Sequence, residues 1–166
     1  MDKLEYTALG QTVYHCVLPN GLNIYVDVRP EYGKQFAFFA TRYGGMDLRF
    51  RGEDGDWLDT PAGVAHFLEH KTFDTEDGNA LQRMAAHGVD PNAFTSASMT
   101  GYYFDGVEGF EDNLRTLLSF VSVPWFTPES VDKEQGIIAQ EIRMGEDDPN
   151  DEAYYRLLEA MYVNHP

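Results

Sequence analysis

His66 and His70 stand four residues apart in the run His66-Phe67-Leu68-Glu69-His70. On an α-helix this spacing turns both imidazoles to one side, and Glu69, three residues after His66, leans over the same spot. Two imidazoles and a carboxylate on one helical turn are a metal site in outline. The order H-x-x-E-H inverts the H-E-x-x-H arrangement of zinc-dependent peptidases and is itself a catalytic motif. In isolation, two histidines at this spacing are as readily explained by core packing or surface exposure. Glu69 between them favours the metal.

A catalytic zinc site uses three protein ligands and leaves a fourth position to water, so one ligand must come from elsewhere. Glu134 and Glu141 are the best candidates, in the run Glu134-Gln135-Gly136-Ile137-Ile138-Ala139-Gln140-Glu141. Seven helical residues at roughly 100° each return the second carboxylate to within about 20° of the first, so both face one way. One can bind the ion while the other orients an imidazole. A solvated helix face is the competing reading of the same pair.

The elements that must position these groups can be read from the pattern. Runs at 12–18 and 22–28 flank Pro19-Asn20-Gly21 and predict a β-hairpin, with positive φ at Asn-Gly. A third strand is expected over 35–43, and the Arg, Gly, Asp and Glu of 47–59 read as a loop. Thr60-Pro61 reads as a cap followed by the first helical position of the histidine helix. A short helix is expected over 79–87, stopped by Gly88, then strands over 92–98 and 101–107. Phe110, Leu114, Leu117, Leu118 and Val121 recur at helical spacing and predict a core-facing helix over 110–121. Thr127-Pro128-Glu129 opens a long helix to about Met144, and a last helix runs from about Asn150 to Val163, with Tyr154, Leu157, Leu158 and Met161 along one stripe. Strands and helices without regular β-α-β alternation predict an α+β fold, mostly antiparallel sheet packed against helices. No repeat or linker interrupts residues 1–166, which read as one unit. The chain stops directly after an amphipathic helix, which reads as a fragment of a longer polypeptide, incomplete at its C-terminus.

Apolar residues make up 43% of the 166, enough for a globular core. Twelve Lys and Arg against 28 Asp and Glu give a formal charge of −16, which disfavours nucleic acid as a partner. No run approaches a membrane span, and the start lacks the apolar core of a secretory signal, so a cytoplasmic location is the expectation. The lone Cys16 forms no intrachain disulfide. The acidic run Glu146-Asp147-Asp148 lacks the ligand spacing of a calcium loop and reads as a solvated turn favouring the next helix N-terminus. His15, His87 and His165 have no partners at ligand spacing.

The chain resembles the N-terminal part of the M16 metallopeptidases, the pitrilysin and insulinase group that includes the mitochondrial processing peptidases. The resemblance runs essentially end to end. It is carried by Gly63-Val64-Ala65 leading into His66–His70, by Asn92-Ala93-Phe94-Thr95-Ser96 followed by Tyr102-Tyr103-Phe104, and by Glu134 and Glu141 seven apart. It implies one Zn²⁺ ion held by His66, His70 and Glu141, with Glu134 behind them, and zinc-dependent hydrolysis of peptide bonds. Glu69 is then the general base, moving a proton from water to the leaving amine. Asn92, Ala93, Phe94, Thr95 and Ser96 become an edge strand to which a peptide substrate adds. The resemblance also implies a homologous second domain or partner subunit that closes a chamber over the site, without which the 166-residue chain would hydrolyse peptides weakly. The alternatives are a non-catalytic scaffold or substrate-presenting subunit of the same family, against which the intact His66, Glu69 and His70 argue, and a structural metal module, against which an unligated Glu69 argues.

Overall fold

The computed structural model describes residues 1–163; His165, read above as carrying no chemistry, lies outside them. Contacts group the chain into two compact units, the first covering Met1–Lys34 and the second beginning at Gln35. The first is an antiparallel meander of β1 (Asp2–Tyr6), β2 (Gln11–Val17) and β3 (Asn23–Asp27), with Tyr14 opposite both Lys3 and Val26. β1 was not expected, since its polar sequence carries little strand signal. The β2–β3 connection is closed by Gly21 N–H donating to the Leu18 carbonyl at 2.8 Å. Only Gly21 takes positive φ there, not Asn20, so the turn differs from the two-residue Asn-Gly form and resembles a type I turn ending in a left-handed glycine.

The second unit is an α+β arrangement around an antiparallel sheet in the order β4 (Gln35–Thr41), β10 (Thr100–Gly106), β9 (Val89–Thr95). The register sets Tyr102 between Phe39 and Ala93. One sheet face presents Ala37, Val89, Tyr102 and Phe104 to Phe73, Met84, Leu117 and Phe120, and these residues form the core. The last four lie on, or just beyond, the helices α1 (Val64–Thr72), α2 (Ala80–Ala86) and α3 (Phe110–Ser122). A long α4 (Pro128–Glu146) and α5 (Pro149–Met161) complete the unit. β9 is an edge strand of this three-stranded sheet, and it carries Pro91, which cannot donate to a ladder and is therefore tolerated at an edge.

Several expectations are corrected in detail. The stretch read as a loop contains a hairpin, β5 (Arg49–Arg51) with β6 (Trp57–Asp59), and a two-residue pair, β7 (Asp74–Thr75) with β8 (Gly78–Asn79), precedes α2. The first hairpin is held by side chains that a hydropathy pattern does not register: the Arg49 and Arg51 guanidinium groups lie 5.2 and 5.0 Å from the Trp57 ring centre. α1 starts at Val64 rather than after Thr60-Pro61. Gly63 has φ 88°, which interrupts any helix running through it, while Thr60 is tied back to the Leu48 carbonyl. The stripe on α5 is real in sequence, yet no residue of that helix is buried.

Candidate metal centre

Two helices build the centre. α1 carries His66, Glu69 and His70, and α4 carries Glu134 and Glu141. α4 is started firmly: the Thr127 hydroxyl accepts the Ser130 N–H at 3.2 Å, the Ser130 hydroxyl accepts the Thr127 N–H at 3.1 Å, and Pro128 occupies the first turn. Nineteen helical residues then bring both glutamates over α1.

The Glu141 Oε2 atom lies 3.7 Å from His66 Nε2 and 3.6 Å from His70 Nε2. One donor atom from each of His66, His70 and Glu141 falls within 4.8 Å of the others. Ligands about 2.1 Å from a tetrahedral zinc ion would sit roughly 3.4 Å apart, so the two carboxylate–imidazole separations are close to those the ion requires. The imidazole rings meet edge to face with centroids 4.7 Å apart. Two nitrogens and one oxygen are a donor set that suits zinc. Glu134 is nearly buried, at 8% exposure, and its Oε1 lies 2.8 Å from His70 Nδ1. A carboxylate there favours the tautomer in which Nδ1–H donates to it, and in that tautomer Nε2, on the Glu141 side, carries a lone pair.

Glu69 is also buried, at 7% exposure, and is not among the three grouped donors. Its Oε2 accepts a hydrogen bond from the Thr95 hydroxyl at 3.0 Å. Tyr102 lies close by: burial pushes its phenol above the ordinary value and the Glu69 carboxylate pushes the same way, against a hydrogen bond with Thr72. A cleft of about 340 Å³ opens beside His66 and Glu141, walled by Ile142, Glu146, Asp151 and Tyr155.

The five residues of the expected substrate strand do not share one environment. Along β9 burial alternates, so Ala93 and Thr95 share one face while Asn92 and Phe94 are exposed on the other. Asn92 Oδ1 accepts the Ala93 N–H at 2.8 Å, and Phe94 lies among Phe38 and Tyr103. Ser96 falls just beyond the strand, its N–H and hydroxyl both directed to the Met99 carbonyl. Asp148 of the acidic run caps α5, accepting the Asn150 N–H at 2.8 Å.

One residue near the site escaped the sequence reading. Lys71, adjacent to His70, is fully buried, with Nζ 2.6 Å from Asp74 Oδ2 and 5.9 Å from the Phe126 ring centre. The i,i+3 spacing of Lys71 and Asp74 was the available signal, masked by its resemblance to an exposed helix-end pair.

The insulinase family, peptidase family M16, matches residues 55–166. The chain belongs to peptidase family M16. As an M16 chain it is 43% identical over 165 residues to the uncharacterized zinc protease YmfH of Bacillus subtilis (strain 168), covering 98% of itself and 38% of that protein. The crystal structure of a provisionally named M16-like peptidase from Alicyclobacillus acidocaldarius superposes with a TM-score of 0.90 at 43% identity, over 98% of this chain and 38% of that one. A protease from Helicobacter pylori shares the fold, with a TM-score of 0.79 at 21% identity over 94% of this chain and 37% of that one. The M16 chain thus spans well under half the length of these relatives. Among its described residues no helix is long and apolar enough to cross a membrane.

Proposed function

We propose that this M16 chain carries the active site of a zinc-dependent metalloendopeptidase. The observation that supports it best lies on α1 and α4: one donor atom each of His66, His70 and Glu141 falls within 4.8 Å of the others, while the Glu69 carboxylate accepts a hydrogen bond from Thr95. A structural zinc site would fill its fourth position with protein and need no separate carboxylate. His66, His70 and Glu141 would hold the zinc ion, which would act as a Lewis acid and bring the pKa of water towards neutrality. The oxygen of that water would add to the peptide carbonyl carbon as Glu69 takes its proton, and Glu69 would deliver that proton to the amine nitrogen as the C–N bond breaks. Glu134 holds His70 in the tautomer that leaves Nε2 available.

The peptide substrate lies along the open edge of β9, near Ala93 and Thr95. There the Asn92 side chain accepts an N–H that a substrate carbonyl would take over. Backbone pairing of this kind tolerates varied side chains. Closure over the substrate falls to further polypeptide, a homologous second domain or a partner subunit, and the isolated 166-residue chain turns over poorly.

The test uses the full polypeptide that carries this sequence. Glu69→Gln retains one zinc per chain by elemental analysis and loses cleavage of a mixed peptide library by about 100-fold or more, whereas Glu141→Gln loses the metal. Cleavage by Glu69→Gln at the wild-type rate refutes the mechanism, and full zinc occupancy in Glu141→Gln refutes the ligand set.

A further inference from the structure

Glu69 has a long, flexible side chain, and the acid–base role proposed for it demands that one carboxylate oxygen be aimed. What aims it lies on another element, 26 residues away in sequence. Thr95 is the last residue of β9, on the inward-facing side of the strand, and its hydroxyl meets Glu69 Oε2 at 3.0 Å. Among the described residues this is the side-chain hydrogen bond made by the Glu69 carboxylate.

The position of that hydroxyl is set by the backbone around it. Immediately after Thr95, the Ser96 N–H donates to the Met99 carbonyl at 2.8 Å and the Ser96 carbonyl accepts the Gly45 N–H at 2.9 Å, pinning the strand end from two sides. Threonine is stiff about χ1, so a pinned backbone translates into a fixed hydroxyl. Thr100, opposite Thr95 in the sheet, donates instead to the Tyr43 carbonyl at 2.8 Å and does not compete for the carboxylate.

We propose that Thr95 is a positioning residue for Glu69: its hydroxyl anchors Oε2 so that Oε1 carries the proton, and it thereby ties the aim of the base to the strand on which substrate lies. This inference rests on the peptidase reading above, but the anchoring itself does not require turnover to be observed.

Thr95→Val keeps the shape and removes the hydroxyl, while Thr95→Ser keeps the hydroxyl. In the full polypeptide, Thr95→Val lowers kcat by about 10- to 100-fold with KM within about twofold of wild type, and Thr95→Ser recovers most of the rate. Zinc content stays at the wild-type value while Tm falls by a few degrees, since a buried carboxylate loses its donor; should the valine variant not fold, Thr95→Ala gives the same split. Crystal structures of the zinc-loaded proteins supply the second readout: Glu69 keeps one position in wild type and Thr95→Ser, and moves or splits in Thr95→Val. An unmoved Glu69 in Thr95→Val, an unchanged kcat, or a rise confined to KM overturns the proposal. If wild type cleaves no peptide but Glu69 still moves in Thr95→Val, the peptidase reading fails and the anchoring role stands.

Discussion

Removing the Glu134 carboxylate tests whether it acts through His70 or merely fills space. Glu134 Oε1 and His70 Nδ1 are 2.8 Å apart, Glu134 is 8% exposed and the His70 side chain 22%, so little water is available to replace the lost acceptor. Partners of this kind behind a metal-binding imidazole are worth about 10- to 100-fold in metal affinity, or about 1.4 to 2.7 kcal/mol. Glu134→Gln keeps an acceptor for Nδ1–H but loses its charge and falls near the lower figure. Glu134→Ala removes the acceptor as well, frees the ring to rotate, and falls near the upper one. The assay is competition for zinc against a chelator of known affinity, at fixed pH and ionic strength. The linked readout is the stability gained on adding zinc, which a 100-fold weaker site reduces by about 2.7 kcal/mol at one saturating concentration. Unchanged zinc affinity in a folded Glu134→Ala protein, or a loss matched by Glu129→Ala in the first turn of the same helix, refutes the reasoning.

Asp74→Ala strands the fully buried Lys71 ammonium and lowers stability by about 3 kcal/mol, towards the low end for such pairs because Asp74 is 26% exposed, while Lys71→Met is near neutral; urea unfolding of both distinguishes a buried pair from a surface one. Gly44→Ala places a Cβ 2.5 Å from the Met99 nitrogen and 2.6 Å from the Ser96 carbonyl oxygen, both backbone atoms that cannot swing aside, and costs about 1 to 3 kcal/mol by the same measurement.

Much of the candidate site is legible in the sequence because helix geometry is local. Four-residue spacing alone turns His66 and His70 to one side, and seven-residue spacing alone aligns Glu134 with Glu141. The start of α4 was equally local, since Thr127 and Pro128 solve the problem of unsatisfied N–H groups within one turn. The same rule misplaced the start of α1. Thr60-Pro61 carries the identical signal, but the Thr60 hydroxyl is engaged by Leu48, beyond any local window, and Gly63 is left-handed, a conformation that glycine permits but does not dictate.

What the chain's order of residues determined, then, is the chemistry available on each helix: two imidazoles and a carboxylate on α1, two aligned carboxylates on α4. Spacing alone left open which glutamate approached the imidazole edges and which stood behind them, because seven-residue periodicity is symmetric between the two; only the family resemblance implied Glu141 in front and Glu134 behind. The packing of α4 against α1 sets the geometry that spacing cannot, with Glu141 Oε2 3.6 Å from His70 Nε2 and Glu134 Oε1 2.8 Å from His70 Nδ1. The contact between Thr95 and Glu69 belongs wholly to the tertiary structure. It joins a helix to the end of a strand across 26 residues, and neither element's periodicity carries information about the distance between them.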